Sequence, residues 1–330
     1  MDQRKKDHIR YAFDARLAAG EVDSRFNYEP MLGSHAAARL DPVSFAGKTL
    51  RAPIWVSSMT GGTKKARVIN HNLARICKEF GLGLGLGSCR PLLENDYRLR
   101  DFDVRDVIGD EQPLFANLGI AQIGQIIGDG QTEKAFRIVE RLRADGLIIH
   151  VNPLQESLQP EGDRINVPPI ETITRFLEKA PFPVIVKEVG QGMGPQSIRI
   201  LLQLPLAAIE LAAFGGTNFS KLELMRTGDT PEAFYMPFSH IGHTAEEMVG
   251  MINDVLRDIP RPACEQIIVS GGIRSFLDGW YLINKLSLPA VYGQASAFLR
   301  YATGSYEELQ VYVRSQIKGL EIARAFLKVK

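Results

Sequence analysis

The chain has 330 residues, which leaves open either two domains of about 150 residues or one large α/β barrel. Hydrophobic residues make up 45% of the chain and charged residues 23%, which excludes disordered and fibrous proteins. With 39 basic and 38 acidic residues the formal charge is +1, so no overall field attracts nucleic acid or an anionic membrane, and any anion must be bound by a local site.

The cysteines and the distribution of apolar residues predict a cytoplasmic protein. Cys77, Cys89 and Cys264 form no CxxC pair, so neither a disulfide framework nor a zinc cluster is expected. The N-terminal MDQRKKDHIR lacks the apolar core of a signal peptide, and no apolar run approaches the ~20 residues of a membrane-spanning helix.

Eight short apolar runs alternate along the chain with helical patterns. The runs are residues 52–58, 82–87, 113–118, 147–152, 183–189, 207–213, 266–270 and 290–294. Ile69, Leu73 and Ile76 recur at helical spacing after the first run, and Gly81 is a helix-end signal. Apolar strands followed by helices are typical of a parallel sheet covered on its outer face. Eight units predict a single-domain (β/α)8 barrel, with a doubly wound open sheet as the alternative.

The remaining length is predicted to lie in two segments. Residues 1–45 form an N-terminal extension, and residues 214–243 form a long loop after the sixth strand. Long loops in compact domains are usually functional. The alternating glycines of residues 82–87 indicate close approach by a ligand or by a neighbouring element.

Polar residues at the ends of the runs indicate a site, because barrels of this type place their chemistry at the carboxyl ends of the strands. Lys187 and His150 interrupt apolar strands, and a lysine in such a place requires an anionic or polar partner. Gly271 and Gly272 follow the seventh run, where backbone N–H groups can approach a phosphate, so we expect a phosphate-bearing cofactor. No GxGxxG fingerprint is present.

Three other polar segments are less informative by themselves. In residues 150–163, a carboxylate that holds Mg²⁺ and a solvated acidic loop are equally compatible with the pattern. The basic cluster at residues 4–10 is ordinarily a solvated tail, and His240 and His243 are interpreted as loop residues. Cys89 has no general base beside it, so it is not expected to be a nucleophile.

Taken together, these motifs resemble the type 2, flavin-dependent isopentenyl diphosphate isomerases, from about residue 4 to about residue 300. The segments that carry the resemblance are Arg4-Lys5 with His8, then residues 59–62, 150–163, 187–190, 215–217 and 271–274. Strand six departs from the commoner family pattern, since Glu210 to Phe214 stand where a smaller, more glycine-rich run is usual.

The resemblance implies a barrel enzyme of isoprenoid biosynthesis that interconverts isopentenyl and dimethylallyl diphosphate with FMN, Mg²⁺ and NADPH as the reductant. The positions that match the FMN site are Ser58, Met59, Thr60, Ser88, Asn117, Lys187, Thr217, Gly271, Gly272, Ala295 and Ser296. The positions that match the substrate site are Arg4, Lys5, His8, Ser88, Cys89, Arg90, His150, Asn152 and Gln155. Glu156 matches the magnesium ligand, and Gln155 is the catalytic candidate, with an orienting or relaying role because an amide does not ionise at neutral pH.

The resemblance also changes the interpretation of the N-terminus, which becomes a substrate clamp. It implies a homotetramer or homo-octamer, for which the helix around residues 306–326 is either an interface or a helix packed on the barrel.

Two other functions remain as alternatives. One is an FMN-dependent oxidoreductase of the hydroxy-acid-oxidase kind, whose usual Arg–His pair has only Arg274 and His240 or His243 as candidates here. The other is a non-catalytic binding protein on the same barrel.

Overall fold

The computed structural model describes residues 2–59, 62–226 and 231–330. Eight parallel strands close into a barrel, in which each strand pairs with the next one along the chain and the last pairs with the first. The strands are β1 (Phe26–Tyr28), β2 (Val43–Phe45), β3 (Lys48–Leu50), β4 (Ile54–Val56), β5 (Gly83–Gly85), β6 (Leu114–Gly119), β7 (Gly146–His150), β8 (Val184–Lys187), β9 (Ala208–Glu210), β10 (Ile267–Ser270), β11 (Ala290–Gln294) and β12 (Leu327–Val329). The barrel consists of β4 to β11, so the prediction of a (β/α)8 barrel is confirmed.

Helices follow the barrel strands, as the spacing of apolar residues predicts. They are α1 (Asp2–Tyr11), α2 (Lys64–Phe80), α3 (Arg105–Ile108), α4 (Ile120–Gly128), α5 (Glu133–Arg141), α6 (Pro153–Leu158), α7 (Pro169–Leu177), α8 (Pro195–Leu202), α9 (Phe219–Arg226), α10 (Ala245–Asp258), α11 (Phe276–Lys285), α12 (Ser296–Ala302) and α13 (Tyr306–Phe326). In the part of the chain that the structure describes, no helix is both long and apolar enough to cross a bilayer.

Local sequence signals set the ends of α2. The Thr63 side chain accepts a hydrogen bond from the Ala66 amide, which satisfies one of the free N–H groups of the first turn. At the other end Gly81 adopts a left-handed conformation with φ of 67°. A side chain here would also collide with Arg51, so glycine is required on both counts.

The lower part of the barrel interior is an apolar plug. Its members are fully or almost fully buried and come from the barrel strands and the β2–β3 hairpin; they are Phe45, Ala46, Leu50, Trp55, Phe115, Ile148, Ile185, Ala208, Ile268 and Val291. The glycines of β5 make room for this plug, because a Cβ at Gly83 would overlap the Trp55 ring. The close approach predicted for these glycines is therefore made by a neighbouring side chain.

Above the plug the interior becomes polar. Side chains of a strand alternate between its two faces, so the residues two positions after the plug residues also face inward. These residues are Ser57, Asn117, His150, Lys187, Glu210 and Ser270, and we call them the polar layer. Because all barrel strands are parallel, the polar layer lies at the carboxyl end of the barrel.

A strand of the N-terminal extension pairs with the last strand of the chain outside the barrel. β1 and β12 form an antiparallel pair in which Phe26 aligns with Val329. Helix α13 buries Leu309, Val313 and Leu320, and it packs against α11 and α12. Of the two interpretations of this helix, packing on the barrel is therefore the one that the structure shows.

The segment after the sixth barrel strand contains helical structure. Within residues 214–243, α9 is followed by a 3₁₀ helix at Pro231–His240. α9 packs against α6, the helix that follows the fourth barrel strand. The long sixth segment thus extends across the carboxyl end of the barrel toward the fourth strand.

Candidate functional site

A cavity of about 470 Å³ opens at the carboxyl ends of the barrel strands. This volume falls within the usual range for small-molecule sites. Eight of the eleven predicted FMN positions line the cavity, and they are Ser58, Met59, Lys187, Thr217, Gly271, Gly272, Ala295 and Ser296. Of the other three, Ser88 and Asn117 are not part of this lining, and Thr60 lies outside the described residues.

Glycines form one rim of the cavity. Gly271 has a φ of 87°, and a Cβ on it would collide with the backbone of Ala213. Gly272 has a φ of 71°, and its Cβ would stand 3.1 Å from the Phe214 carbonyl oxygen. The rim is therefore bare backbone, of the kind that lets N–H groups approach phosphate oxygens.

Two arginines also line this cavity, Arg274 and Arg300. Arg274 belongs to the motif that follows the seventh strand, whereas nothing in the sequence singled out Arg300. Its place in the short helix after the eighth strand is the signal that would have found it, because the seventh and eighth loops of such barrels commonly bind phosphate.

Lys187 and His150 are both in the polar layer, as neighbours on adjacent strands. The Lys187 ammonium donates a hydrogen bond to the Glu188 carbonyl oxygen at 2.7 Å. His150 Nδ1 lies 2.6 Å from Asn117 Oδ1. Burial, together with the positive charge of Lys187, lowers the pKa of His150 to about 3. The imidazole is therefore neutral at physiological pH.

None of the three residues Ser88, Cys89 and Arg90 lines the cavity. Cys89 is fully buried, its thiol contacts the Gly87 carbonyl oxygen at 3.5 Å, and burial raises its pKa to about 12. Arg90 is exposed and donates to Asp163 at 2.7 Å. A protonated, buried thiol is unreactive, which agrees with the absence of a predicted nucleophilic role.

Glu156 is held by three hydrogen bonds from its own loop. Its Oε1 accepts from Asn152 Nδ2 at 2.8 Å, and its Oε2 accepts from Gln159 Nε2 at 2.5 Å and from the Asp163 amide at 2.8 Å. An ionised carboxylate has about four acceptor positions, so one remains for a cation. Asn152 Oδ1 beside it is buried without a partner among the residues that the structure describes.

Both the oxygen and the nitrogen of the Gln155 side-chain amide form hydrogen bonds. Asn152 Nδ2 donates to Gln155 Oε1 at 3.1 Å, and Gln155 Nε2 donates to Glu223 Oε1 at 3.0 Å. Glu223 is buried in α9 and also pairs with Arg226. Sequence reasoning missed Glu223, because a lone acidic residue within a long loop carries no signal until the loop folds back on the fourth strand.

The predicted N-terminal clamp does not join this group of residues in the described parts of the chain. Arg4, Lys5 and His8 lie on α1 and are exposed, and none of them lines the cavity. Their contact with a diphosphate stays a prediction.

A second cavity of about 540 Å³ lies between α7 and α8. Glu188 and His243 line it, together with mainly apolar side chains, while His240 is exposed. No group of three or more potential metal-ligating side chains occurs within the described ranges. Neither His240, which ends the 3₁₀ helix, nor His243 lines the first cavity.

No family model matches the chain. Proteins named isopentenyl-diphosphate delta-isomerase are similar to it over nearly its whole length. The protein from Rickettsia peacockii (strain Rustic) is 34% identical over 325 residues, which cover 94% of this chain and 90% of the relative. The protein from Synechocystis sp. is 34% identical over 330 residues, which cover 97% of this chain and 90% of the relative.

Solved structures with a similar fold are flavoenzymes. A mutant flavocytochrome b2 with benzoylformate aligns with a TM-score of 0.63 and 12% identity, over 92% of this chain and 76% of that one. A mutant mandelate oxidase with a monooxide FMN adduct aligns with a TM-score of 0.55 and 13% identity, over 93% of this chain and 88% of that one. At this level of identity the likeness shows a shared fold alone.

The sequence relatives carry more weight, because they combine 34% identity with coverage of nearly both chains. This confirms the resemblance that the motifs indicated and the prediction of an isomerase enzyme. The chain belongs to the isopentenyl-diphosphate delta-isomerase family.

Proposed function

We propose that this protein interconverts isopentenyl and dimethylallyl diphosphate, with reduced FMN in the cavity above the polar layer and Mg²⁺ at Glu156. The observation that carries the proposal is the convergence of eight predicted FMN positions on one cavity of suitable volume. The names of the relatives supply the substrate class. NADPH is the proposed reductant, and the proposed assembly is a homotetramer or homo-octamer.

The residues present fit FMN. The rim at Gly271 and Gly272 is a cradle that a Cβ would fill, and Arg274 and Arg300 supply positive charge for a phosphate. Ser57 Oγ and Ser58 Oγ, which are buried in the cavity wall, lack partners among the described residues. Such atoms suit a ligand rich in hydroxyl and carbonyl groups. When bound, reduced FMN supplies an electron-rich ring that stabilises the positive charge created by protonation of an alkene.

The residues around Glu156 fit Mg²⁺. This ion prefers oxygen ligands and usually keeps several waters beside one or two carboxylates and a substrate phosphate. Glu156 offers one remaining acceptor position, and a water of the hydration shell would satisfy Asn152 Oδ1. Glu156 would hold the ion, which neutralises part of the diphosphate charge.

The other side chains bind and orient the substrate. Arg90, with Arg4 and Lys5 of α1, would contribute positive charge to the diphosphate, and neutral His150 contributes hydrogen bonds without charge. One N–H of the Gln155 amide is used by Glu223, so the second N–H is left to face the substrate. Gln155 therefore orients the substrate while the apolar plug below excludes water.

The test is an absorbance spectrum of the purified protein, followed by an anaerobic assay with isopentenyl diphosphate. We expect a flavin spectrum, and product only after the flavin is reduced with NADPH or dithionite. Product from the oxidised protein without a reductant would contradict the proposal.

Site variants and a second substrate complete this test. Gln155→Ala and Glu156→Gln should each lower kcat/KM by about 100-fold or more, consistent with the loss of a positioned group or a metal ligand. The same preparation is given an α-hydroxy acid. Net oxidation of that acid would favour the oxidoreductase alternative, and the absence of both flavin binding and isomerisation would favour a non-catalytic protein.

A further inference from the structure

Glu210 is a fully buried acidic residue in the wall of the first cavity. Ser270 Oγ donates a hydrogen bond to Glu210 Oε1 at 3.1 Å. Glu210 Oε2 is also buried, yet it has no hydrogen-bond partner within the described ranges. A buried acceptor without a donor is unfavourable, so such an atom calls for a donor that the chain itself does not supply.

Lys187 does not fill this role. It is aligned with Glu210 on the neighbouring strand β8. Its ammonium donates instead to the Glu188 carbonyl oxygen, and no ion pair with Glu210 occurs among the residues described. Lys187 and Glu210 thus lie side by side in the polar layer, and each can form a further hydrogen bond with a ligand in the cavity.

The position of Glu210 indicates which part of a ligand it would meet. Four residues separate Glu210 from Gly215, where an added Cβ would stand 3.1 Å from Gly272 Cα at the glycine rim. A phosphate oxygen is an acceptor and cannot satisfy another acceptor, so Glu210 Oε2 faces a part of the ligand that donates. The hydroxyls of Ser57 and Ser58 also lack partners among the described residues, and they line the same cavity and can bind alcohols.

We propose that Glu210 positions FMN by accepting, through Oε2, a hydrogen bond from one hydroxyl of the ribityl chain. That chain is the part of FMN that joins the phosphate to the ring, and it is a row of hydroxyl donors. The inference rests on the proposed function only for the presence of FMN in this cavity. It makes Glu210 a positioning residue that acts through the cofactor.

The test measures FMN affinity, by the change in flavin fluorescence as FMN is added to flavin-free protein. Native protein is compared with Glu210→Gln and Glu210→Ala, each titrated with FMN and with its 2′-deoxy, 3′-deoxy and 4′-deoxy analogues. Glu188→Gln is the matched control, because Glu188 is a partly buried acid one strand away that lines the second cavity and accepts from three backbone amides.

We expect native protein to bind one deoxy analogue about 10- to 100-fold more weakly than FMN, the loss typical of a hydrogen bond to a charged group. Glu210→Ala should weaken FMN binding by a similar factor and show no further loss with that analogue. Glu210→Gln, which keeps a neutral acceptor, should fall between, and Glu188→Gln should match native protein.

Two outcomes would overturn the inference while the proposed function stands. One is native protein that binds FMN and all three analogues equally well. The other is a loss with a deoxy analogue that is the same in native protein and in the Glu210 variants. Native protein that binds no FMN would overturn the proposed function instead. If a variant fails to fold, the analogue series on native protein alone still tests the contact.

Discussion

Gln155 and Glu156 are adjacent in sequence, yet separate partners hold them. Gln155 is oriented by Asn152 and Glu223, and Glu156 is oriented by Asn152, Gln159 and the Asp163 amide. Asn152 therefore links the proposed substrate contact to the proposed metal ligand. Any change at Asn152 should disturb both residues together.

His150 gives a prediction about pH and stability. Its pKa in the folded protein is lowered to about 3, whereas an unfolded histidine titrates near 6.5. Below pH 6.5 His150 binds a proton in the unfolded chain but not in the folded chain, so the free energy of unfolding falls as the pH falls. Between pH 7 and pH 5 this contribution should be about 1–2 kcal/mol.

The measurement is urea unfolding of the flavin-free protein at pH 7, 6 and 5, compared with a His150→Gln variant. Between pH 7 and pH 5, the free energy of unfolding of the variant should fall by about 1–2 kcal/mol less than that of native protein. Equal pH dependence of the two proteins would show that His150 is not kept neutral by the fold.

The site residues that could be predicted from the sequence are those whose position depends on a single strand end. Lys187 interrupts an apolar strand, and Gly271 and Gly272 follow the strand whose loop commonly binds phosphate, so position alone marks them. Glu210 and Glu223 were not predicted. The inward direction of Glu210 depends on the register of the sixth strand, and the contact of Glu223 depends on a loop that crosses to the fourth strand.

At the scale of elements, the glycine rim after the seventh strand combines two constraints. Gly271 has a left-handed backbone, and the space beside it is filled by the backbone of Ala213, three residues after β9. The two segments can approach each other here only because Gly271 has no side chain. The rim is thus a packing feature as well as a proposed phosphate site.

Gly271→Ala should therefore destabilise the protein by about 1–3 kcal/mol, the usual cost of a strained backbone. Gly250→Ala is the control, since Gly250 lies inside α10 with no atom within 4 Å of an added Cβ, and this change should stabilise the protein by up to about 1 kcal/mol. Thermal unfolding by circular dichroism measures both. A Gly271→Ala protein as stable as native would contradict the packing argument.

At the scale of the whole molecule, one end of the barrel holds the packed apolar residues and the other end holds the proposed binding site. The apolar plug and the β2–β3 hairpin close one end, and the polar layer with its cavity occupies the other. The N-terminal segment leaves apolar side chains uncovered, since Phe13 is 73% exposed and Leu17 is 82% exposed. We propose that another copy of the chain covers these side chains in the assembly.

We expect light scattering to give a mass of four or eight times the 36.6 kDa of one chain. Because another copy of the chain is the proposed partner, Phe13→Ser with Leu17→Ser should shift the mass toward smaller species. Val311→Ser, an exposed apolar position on α13, is the comparison. A native protein that is monomeric at micromolar concentration would contradict the proposed assembly.

The order of apolar runs and helical patterns by itself favoured the barrel, because short apolar runs and helices of period 3.6 are distinct patterns in a sequence. Motifs at the strand ends determined the family and most of the cavity lining. Only the tertiary structure decided which polar side chains meet. The register between β8 and β9 brings Glu210 beside Lys187, and the fold of the sixth loop brings Glu223 to Gln155. Such contacts depend on register and on loop path, and neither has a local signature in the sequence.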